Sequence, residues 1–223
     1  MKELLRKFIV RLRWSKTIYW LRNLILYNVA EENLRRIMGF IDYGRIEGDY
    51  AEFGVYQGHS FIAAYKFAEF FGIKNMNFWA FDSFEGLPEI KGTDKEGIWK
   101  KGEYSCSLED FMKNLKENKV DLNRVFAIRG FFSDTLKKKH NIKKLAVAYI
   151  DCDLYESTKE VLKFIEPYLQ EGTLILFDDW NAFKGKPDKG EQKAFNEFIK
   201  KCKKFKFIEY YNGGYNKVFL TLK

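Results

Sequence analysis

Cysteine and histidine are scarce in this chain, with three of the first and two of the second in 223 residues. Cys106, Cys152 and Cys202 are odd in number and lack a C-x-x-C spacing, which argues against both a disulfide framework and a thiolate zinc site. A reducing cytoplasm is the expected setting. No apolar run is long enough to span a bilayer, and charge interrupts "MKELLRKFIVRLRW" throughout, so no h-region of a secretion signal is read there. The chain is expected to be soluble or at most peripheral. A G-x-G-x-x-G dinucleotide fingerprint is also missing, which disfavours nicotinamide cofactors.

Positive charge is present but unevenly placed. Residues 1–30 hold seven Lys or Arg against Glu3 alone, and so carry +6 of the formal +8. The remaining basic clusters, "KKKHNIKK" and "KKCKKFKF", are interrupted by apolar residues and resemble solvated helix ends more than a phosphate-tracking stripe. Nucleic acid is therefore not the expected partner.

The length suits one domain with a sizeable core. From about residue 49 apolar segments alternate with amphipathic ones, the pattern of a mostly parallel sheet with helices on both faces. Strands are expected near "YAEFGV", "NFWAFD", "RVFAIRG", "LAVAYID", "TLILFD", "FKFIEYY" and "KVFLTL". That makes an open, seven-stranded α/β sheet over 49–223. Gly72 reads as a C′ glycine, Ser107 and Asp110 as a capping box, and Asn212-Gly213 as a hairpin turn that makes the last strand antiparallel. Residues 1–48 read as a helical extension. A cap or homo-oligomer contact is favoured there over a membrane-surface helix with Trp14, Tyr19 and Trp20 at the interface.

In such a sheet the ligand sits beyond the carboxyl ends of the strands. The first such loop reads "EFGVYQGHS". Gly54 leaves the strand where a positive φ is expected, Gly58 would let a ligand approach the backbone, and Ser60 comes at a helix N-terminus. The next strand ends at Asp82, which could accept from both ribose hydroxyls or cap a helix. Two later strands, in "LAVAYIDCDLYES" and "TLILFDDW", end in acids: Asp151 and Asp153, then Asp178 and Asp179.

Taken in order, "EFGVYQGHS", "FDSFEGLP", "RGFFSDTL", "YIDCDLYEST" and "FDDW" resemble the macrocin O-methyltransferase family, over about residues 47–200. The first loop is also similar to that of catechol-type O-methyltransferases. The resemblance implies a Rossmann-like methyltransferase sheet and metal-dependent transfer from S-adenosylmethionine to a sugar hydroxyl. It further implies that Glu52 and Ser60 hold the methionine end of the cofactor and Asp82 its ribose, with the "RGFFSDTL" segment, including Gly130, near the adenine.

Convergence of Asp151, Asp178 and Asp179 at one sheet edge would be repulsive without a cation, unless each is paired with a Lys or Arg. An all-oxygen set favours Mg2+ or another hard divalent ion over zinc. Coordination would stabilise an acceptor alkoxide, and Asp151 is the first candidate for proton acceptor, ahead of His59. Asp153 would cap the following helix or bind a substrate hydroxyl. Cys152, between two aspartates, is expected to pack, while Trp180 and Phe183 would either wall a sugar ring or belong to the core. The expected acceptor is a glycan or glycosylated small molecule. RNA or phenolic acceptors, and a non-catalytic cofactor-retaining assembly protein, are the alternatives.

Overall fold

The computed structural model describes residues 31–223. Helix α1 occupies 31–43 among these. It is followed by β1 (Asp49–Phe53), α2 (His59–Phe70), β2 (Phe78–Asp82), α3 (Leu108–Glu117), β3 (Val125–Arg129) and α4 (Phe132–Thr135). Then come β4 (Leu145–Ile150), α5 (Tyr155–Ile165), β5 (Leu174–Phe177), α6 (Gly190–Lys201), β6 (Lys206–Asn212) and β7 (Lys217–Leu222). All seven expected strands are present.

They form one sheet in the order β3-β2-β1-β4-β5-β7-β6. The first five run parallel, whereas β7 is antiparallel to both β5 and β6. The hairpin therefore folds its last strand inward, between β5 and β6. Every residue of β1, β2, β4 and β5 is buried, which is why these read as continuous apolar runs; β3 and β6, with exposed residues, take the two edges. Strand order reverses direction between β1 and β4, so their carboxyl ends open a crevice.

Side-chain alternation divides the core into two layers. Tyr50, Phe78, Tyr149 and Leu176 pack with α2 and α3 on one face, and Phe53, Phe81, Ile150 and Phe177 with α5 and α6 on the other. Helix α1 joins the first layer. Its Leu34, Ile37, Met38 and Ile41, at helical spacing, are all buried there, and Asn33 Nδ2 donates to Asn216 Oδ1 at 2.9 Å. This part of the N-terminal extension is thus integral to the domain core. Trp14, Tyr19 and Trp20, with the rest of residues 1–30, lie outside the described residues.

The local signals hold. Gly72 has φ +76° just past α2, and its amide donates to Glu69 O at 3.1 Å. Ser107 Oγ accepts from the Asp110 amide at 3.0 Å and caps α3. No helix among the described residues is long and apolar enough to cross a membrane.

Candidate active site

A cavity of about 880 Å³ opens at the carboxyl ends of the central strands. Backbone pairing sets its floor. The amides of Gly54, Asp151 and Asp178 donate to Phe81, Phe53 and Ile150 at 2.8, 2.9 and 3.0 Å, extending the ladder one step past the strands. Side chains at Asp151 and Asp178 consequently emerge from neighbouring strands, about 4.8 Å apart as strands lie.

Asp151, Asp178 and Asp179 meet there. One carboxylate oxygen from each lies within 4.8 Å of the others. No ion pair among the described residues involves any of the three, so the expected Lys or Arg alternative is not what the structure contains. Tyr149 OH donates to Asp178 Oδ1 at 2.7 Å. Burial, then the charges of Asp178, Asp153 and Asp179, pushes the Asp151 carboxyl well above the usual range. The group fits a hard cation. An octahedral ion with oxygens at about 2.1 Å places its ligand oxygens roughly 3.0 to 4.2 Å apart, a modest closing of these side chains.

Asp153 does not cap α5. Leu154 is the N-cap residue, without a side-chain bond, and the carboxylate at the helix start is Asp94: the Tyr155 amide donates to its Oδ1 at 2.9 Å and the Glu156 amide to its Oδ2 at 3.4 Å. Asp153 instead sits at φ +61° in a tight turn closed by the Leu154 amide donating to Cys152 O at 2.6 Å. A non-glycine residue there is strained. Its side chain lines the cavity, and burial followed by the Asp179 charge pushes its pKa up to about 9.

On the cofactor-loop side, Gly54 and Asp82 line the cavity, whereas Glu52, Gly58, Ser60 and Gly130 do not. Gly54 has φ +88°, and a Cβ on it would stand 1.8 Å from Asp151 O. It is what lets β1 and β4 close at their ends. Gly58 has φ +83°, and the space beside its Cα is taken by Phe111, 2.8 Å from a built Cβ. Phe111 thus fills that side of Gly58. Asp82 Oδ2 accepts from the amides of Val55 and Tyr56 at 2.8 and 3.2 Å, and Oδ1 from Phe84 at 2.7 Å. It ties two loops together and caps no helix, and Oδ1 also accepts from Ser83 Oγ at 3.5 Å. Glu52 and Ser60 are brought together, Ser60 Oγ donating to Glu52 Oε1 at 2.6 Å while Tyr50 OH donates to Oε2. Burial pushes Glu52 up to about 8. Gly130 donates its amide to Asp82 O at 2.9 Å, and Phe131, Phe132 and Ser133 after it line the cavity.

Of the remaining expected residues, Trp180 is core, packed on Phe177, Phe195 and Phe219, and Phe183 packs on Trp99. Cys152 is buried with its Sγ 3.6 Å from Thr158 Oγ1, a packing role as expected. His59 opens α2, exposed, and is not among the lining residues. Sequence reading missed Asp94, Trp99 and Tyr104, all in the segment between β2 and α3, which forms one wall of the cavity. Tyr104 meets Tyr56 across the cavity, ring centroids 5.9 Å apart. Only its glycines and Pro88 mark that segment as a loop.

An open sheet with a switch-point cavity, an acid at the end of β2 and three aspartates just past β4 and β5 defines the Rossmann-like O-methyltransferase class. A family model described as macrocin-O-methyltransferase (TylF) matches residues 30–203, and the chain belongs to that family. It is 30% identical over 156 residues to the 8-demethyl-8-(2,3-dimethoxy-alpha-L-rhamnosyl)-tetracenomycin-C 4'-O-methyltransferase of Streptomyces olivaceus, covering 67% of this chain and 59% of that one. It is 28% identical over 155 residues to the demethyldecarbamoylnovobiocin O-methyltransferase of Streptomyces niveus, with the same coverages. The match thus spans less than two thirds of these relatives. Among solved structures, the O-methyltransferase NovP superposes with a TM-score of 0.76 at 23% identity, covering 87% of this chain and 80% of its own. The calicheamicin methyltransferase CalS11 gives 0.69 at 19%, covering 98% and 91%.

Proposed function

We propose that this protein transfers a methyl group from S-adenosylmethionine to a hydroxyl of a sugar on a small molecule, with a divalent cation held by Asp151, Asp178 and Asp179. The observation that carries the reading is the meeting of those three carboxylates, without an ion pair among the described residues, in a cavity that also contains Gly54 and Asp82. The rhamnosyl-bearing substrate named for the Streptomyces olivaceus relative supports the acceptor class. Gly54, Asp82 and the Phe131–Ser133 segment would hold the cofactor, with the Glu52–Ser60 pair at its methionine end.

A divalent cation bound there would supply Lewis-acid stabilisation of the acceptor alkoxide. The chain's own residues do the rest. Tyr149 fixes the Asp178 carboxylate by its hydrogen bond. Asp153 is the proton acceptor: it lines the same cavity but falls outside the ligand triad, so its lone pairs stay available. This moves the role from Asp151, whose carboxylate is needed as a ligand. In its ionised form Asp153 would accept the proton of the acceptor hydroxyl as the methyl group is transferred. Tyr56, Trp99 and Tyr104 wall the cavity and restrict water.

The test is incubation with labelled S-adenosylmethionine and a panel of glycosides, nucleotide sugars, catechols and RNA, with and without Mg2+. Label should pass to a glycoside only with the metal. S-adenosylhomocysteine should raise the melting temperature and NAD should not; stabilisation by NAD alone would sink the reading.

A further inference from the structure

The groups of the cavity follow one another along the sheet edge in the order of the strands. Asp82 ends β2, Gly54 leaves β1, Asp151 follows β4, and Asp178 and Asp179 follow β5. Tyr215 continues that row. It stands just before Lys217, which opens β7 and pairs with Phe177 at the end of β5, and it lines the same cavity. The hairpin is thus on the far side of the three aspartates from the cofactor loop. A methyl group passed from the β1 side to a hydroxyl at the aspartates leaves the rest of the acceptor to extend over β5 and β7.

The backbone around Tyr215 is tied down. Its carbonyl accepts from the Asn181 amide at 3.1 Å, the Gly213 amide donates to Asn216 O at 3.0 Å, and Asn216 Oδ1 accepts from Asn33 Nδ2 at 2.9 Å. Asn181 Nδ2 also donates to Gly214 O. The Tyr215 residue itself is 76% exposed, so the fold gains little from so large an aromatic there. Ile98, 84% exposed, lines the cavity too. Its stretch is fastened to the chain between β5 and α6: Glu96 Oε1 accepts from Lys189 Nζ at 2.6 Å, and the Trp99 ring lies 5.2 Å from that of Phe183. Two exposed apolar side chains on fastened backbone border one cavity, an arrangement that faces a ligand where scattered ones would not.

Among the described residues that line the cavity, Lys91 is the one Lys or Arg, and it pairs with Glu89 at 3.8 Å. The amides that open α5, another natural seat for a phosphate, are taken by Asp94. We propose that Tyr215 and Ile98 are specificity-determining residues: they receive the uncharged, apolar face of a glycoside whose hydroxyl lies at the three aspartates, in preference to a sugar carried on a diphosphate. The inference rests on the reading of the cavity as a sugar O-methyltransferase site. A pyranose offers such a face where its C–H bonds point to one side, and an aromatic ring packs on it without needing a charge.

The probes are a set of uncharged nitrophenyl glycosides and, for each sugar, its nucleotide diphosphate form. Affinity for the full chain with S-adenosylhomocysteine and Mg2+ is read by saturation-transfer NMR, which needs no turnover. The wild type should bind at least one nitrophenyl glycoside more tightly than its nucleotide-linked counterpart. Tyr215→Ala should weaken that binding by about tenfold and raise KM by a like factor with kcat little changed, the pattern of a lost binding contact. Tyr215→Phe, which keeps the ring, should recover most of it, and Ile98→Ser should give a smaller loss of the same kind. Glycoside affinity equal in wild type, Tyr215→Ala and Ile98→Ser, or tighter binding of the nucleotide sugars, would overturn the inference and leave the methyltransferase reading standing. Loss of S-adenosylhomocysteine affinity in Tyr215→Ala would mark a structural role and likewise overturn it. Failure of the wild type to bind any sugar probe would instead overturn the sugar-acceptor reading, and the role of Tyr215 and Ile98 with it.

Discussion

Asp94 accepts the backbone amide of Tyr155 at 2.9 Å across 61 positions of chain, so a loop after β2 caps the helix that follows the β4 acids. This one carboxylate ties the cavity wall to the helix behind the acid-bearing edge. Asp94→Ala should cost about 1–2 kcal/mol in urea unfolding, the usual loss for a helix N-cap, with Asn restoring part of it. Turnover should fall as well, because Trp99 and Tyr104 belong to the same wall.

Gly54 and Gly58 are expected to fail differently. A Cβ on Gly54 meets the Asp151 carbonyl at 1.8 Å, backbone against backbone, whereas on Gly58 it meets the Phe111 ring at 2.8 Å. Gly54→Ala should cost about 3 kcal/mol or more, with loss of soluble protein. Gly58→Ala should cost about 1–3 kcal/mol, yet leave S-adenosylhomocysteine affinity per folded molecule close to wild type. Calorimetric titration of the purified variants separates the two.

The strands and the acid triad were legible because central strands are apolar throughout and polar residues at their ends stand out. Asp151, Asp178 and Asp179 followed directly from that contrast. Other parts of the site had no such contrast. Asp94 lies in "KGTDKEG", where nothing in the sequence ties it to a helix start 61 positions away. Tyr149 was hidden inside a strand run, its hydroxyl aligned with Asp178 only by the β4–β5 register. Asp153 looked like a helix cap because it precedes α5 closely, and the left-handed turn that redirects it has no glycine to announce it.

Glu52 gives a pH dependence with a definite sign. Burial raises its pKa from 4.5 to about 8, so the folded state binds a proton that the unfolded chain releases in that interval. Its contribution to stability is fully present below about pH 4.5 and is lost as pH rises through about 8. Glu52→Gln should flatten the profile by at most about 1.4 kcal/mol per pH unit between pH 5 and 8. Urea unfolding at four or five pH values in metal-free buffer measures it, and an unchanged slope would show that Glu52 is already ionised at neutral pH.

The two aspartates of "DCD" should separate under substitution. Asp151 is one of three oxygens gathered within 4.8 Å, so Asp151→Asn removes a ligand charge and should lower Mn2+ affinity and turnover together, with partial rescue at high metal. Asp153 stands outside that set, though it lines the same cavity. Asp153→Asn should retain Mn2+ and S-adenosylhomocysteine binding while turnover falls by about 10² to 10⁴, the usual weight of a general base, and high metal should not restore it. If Asp153→Asn loses metal as fully as Asp151→Asn does, Asp153 is a fourth ligand and the proton must leave by another route. Normal turnover in Asp153→Asn would likewise remove it from the chemistry.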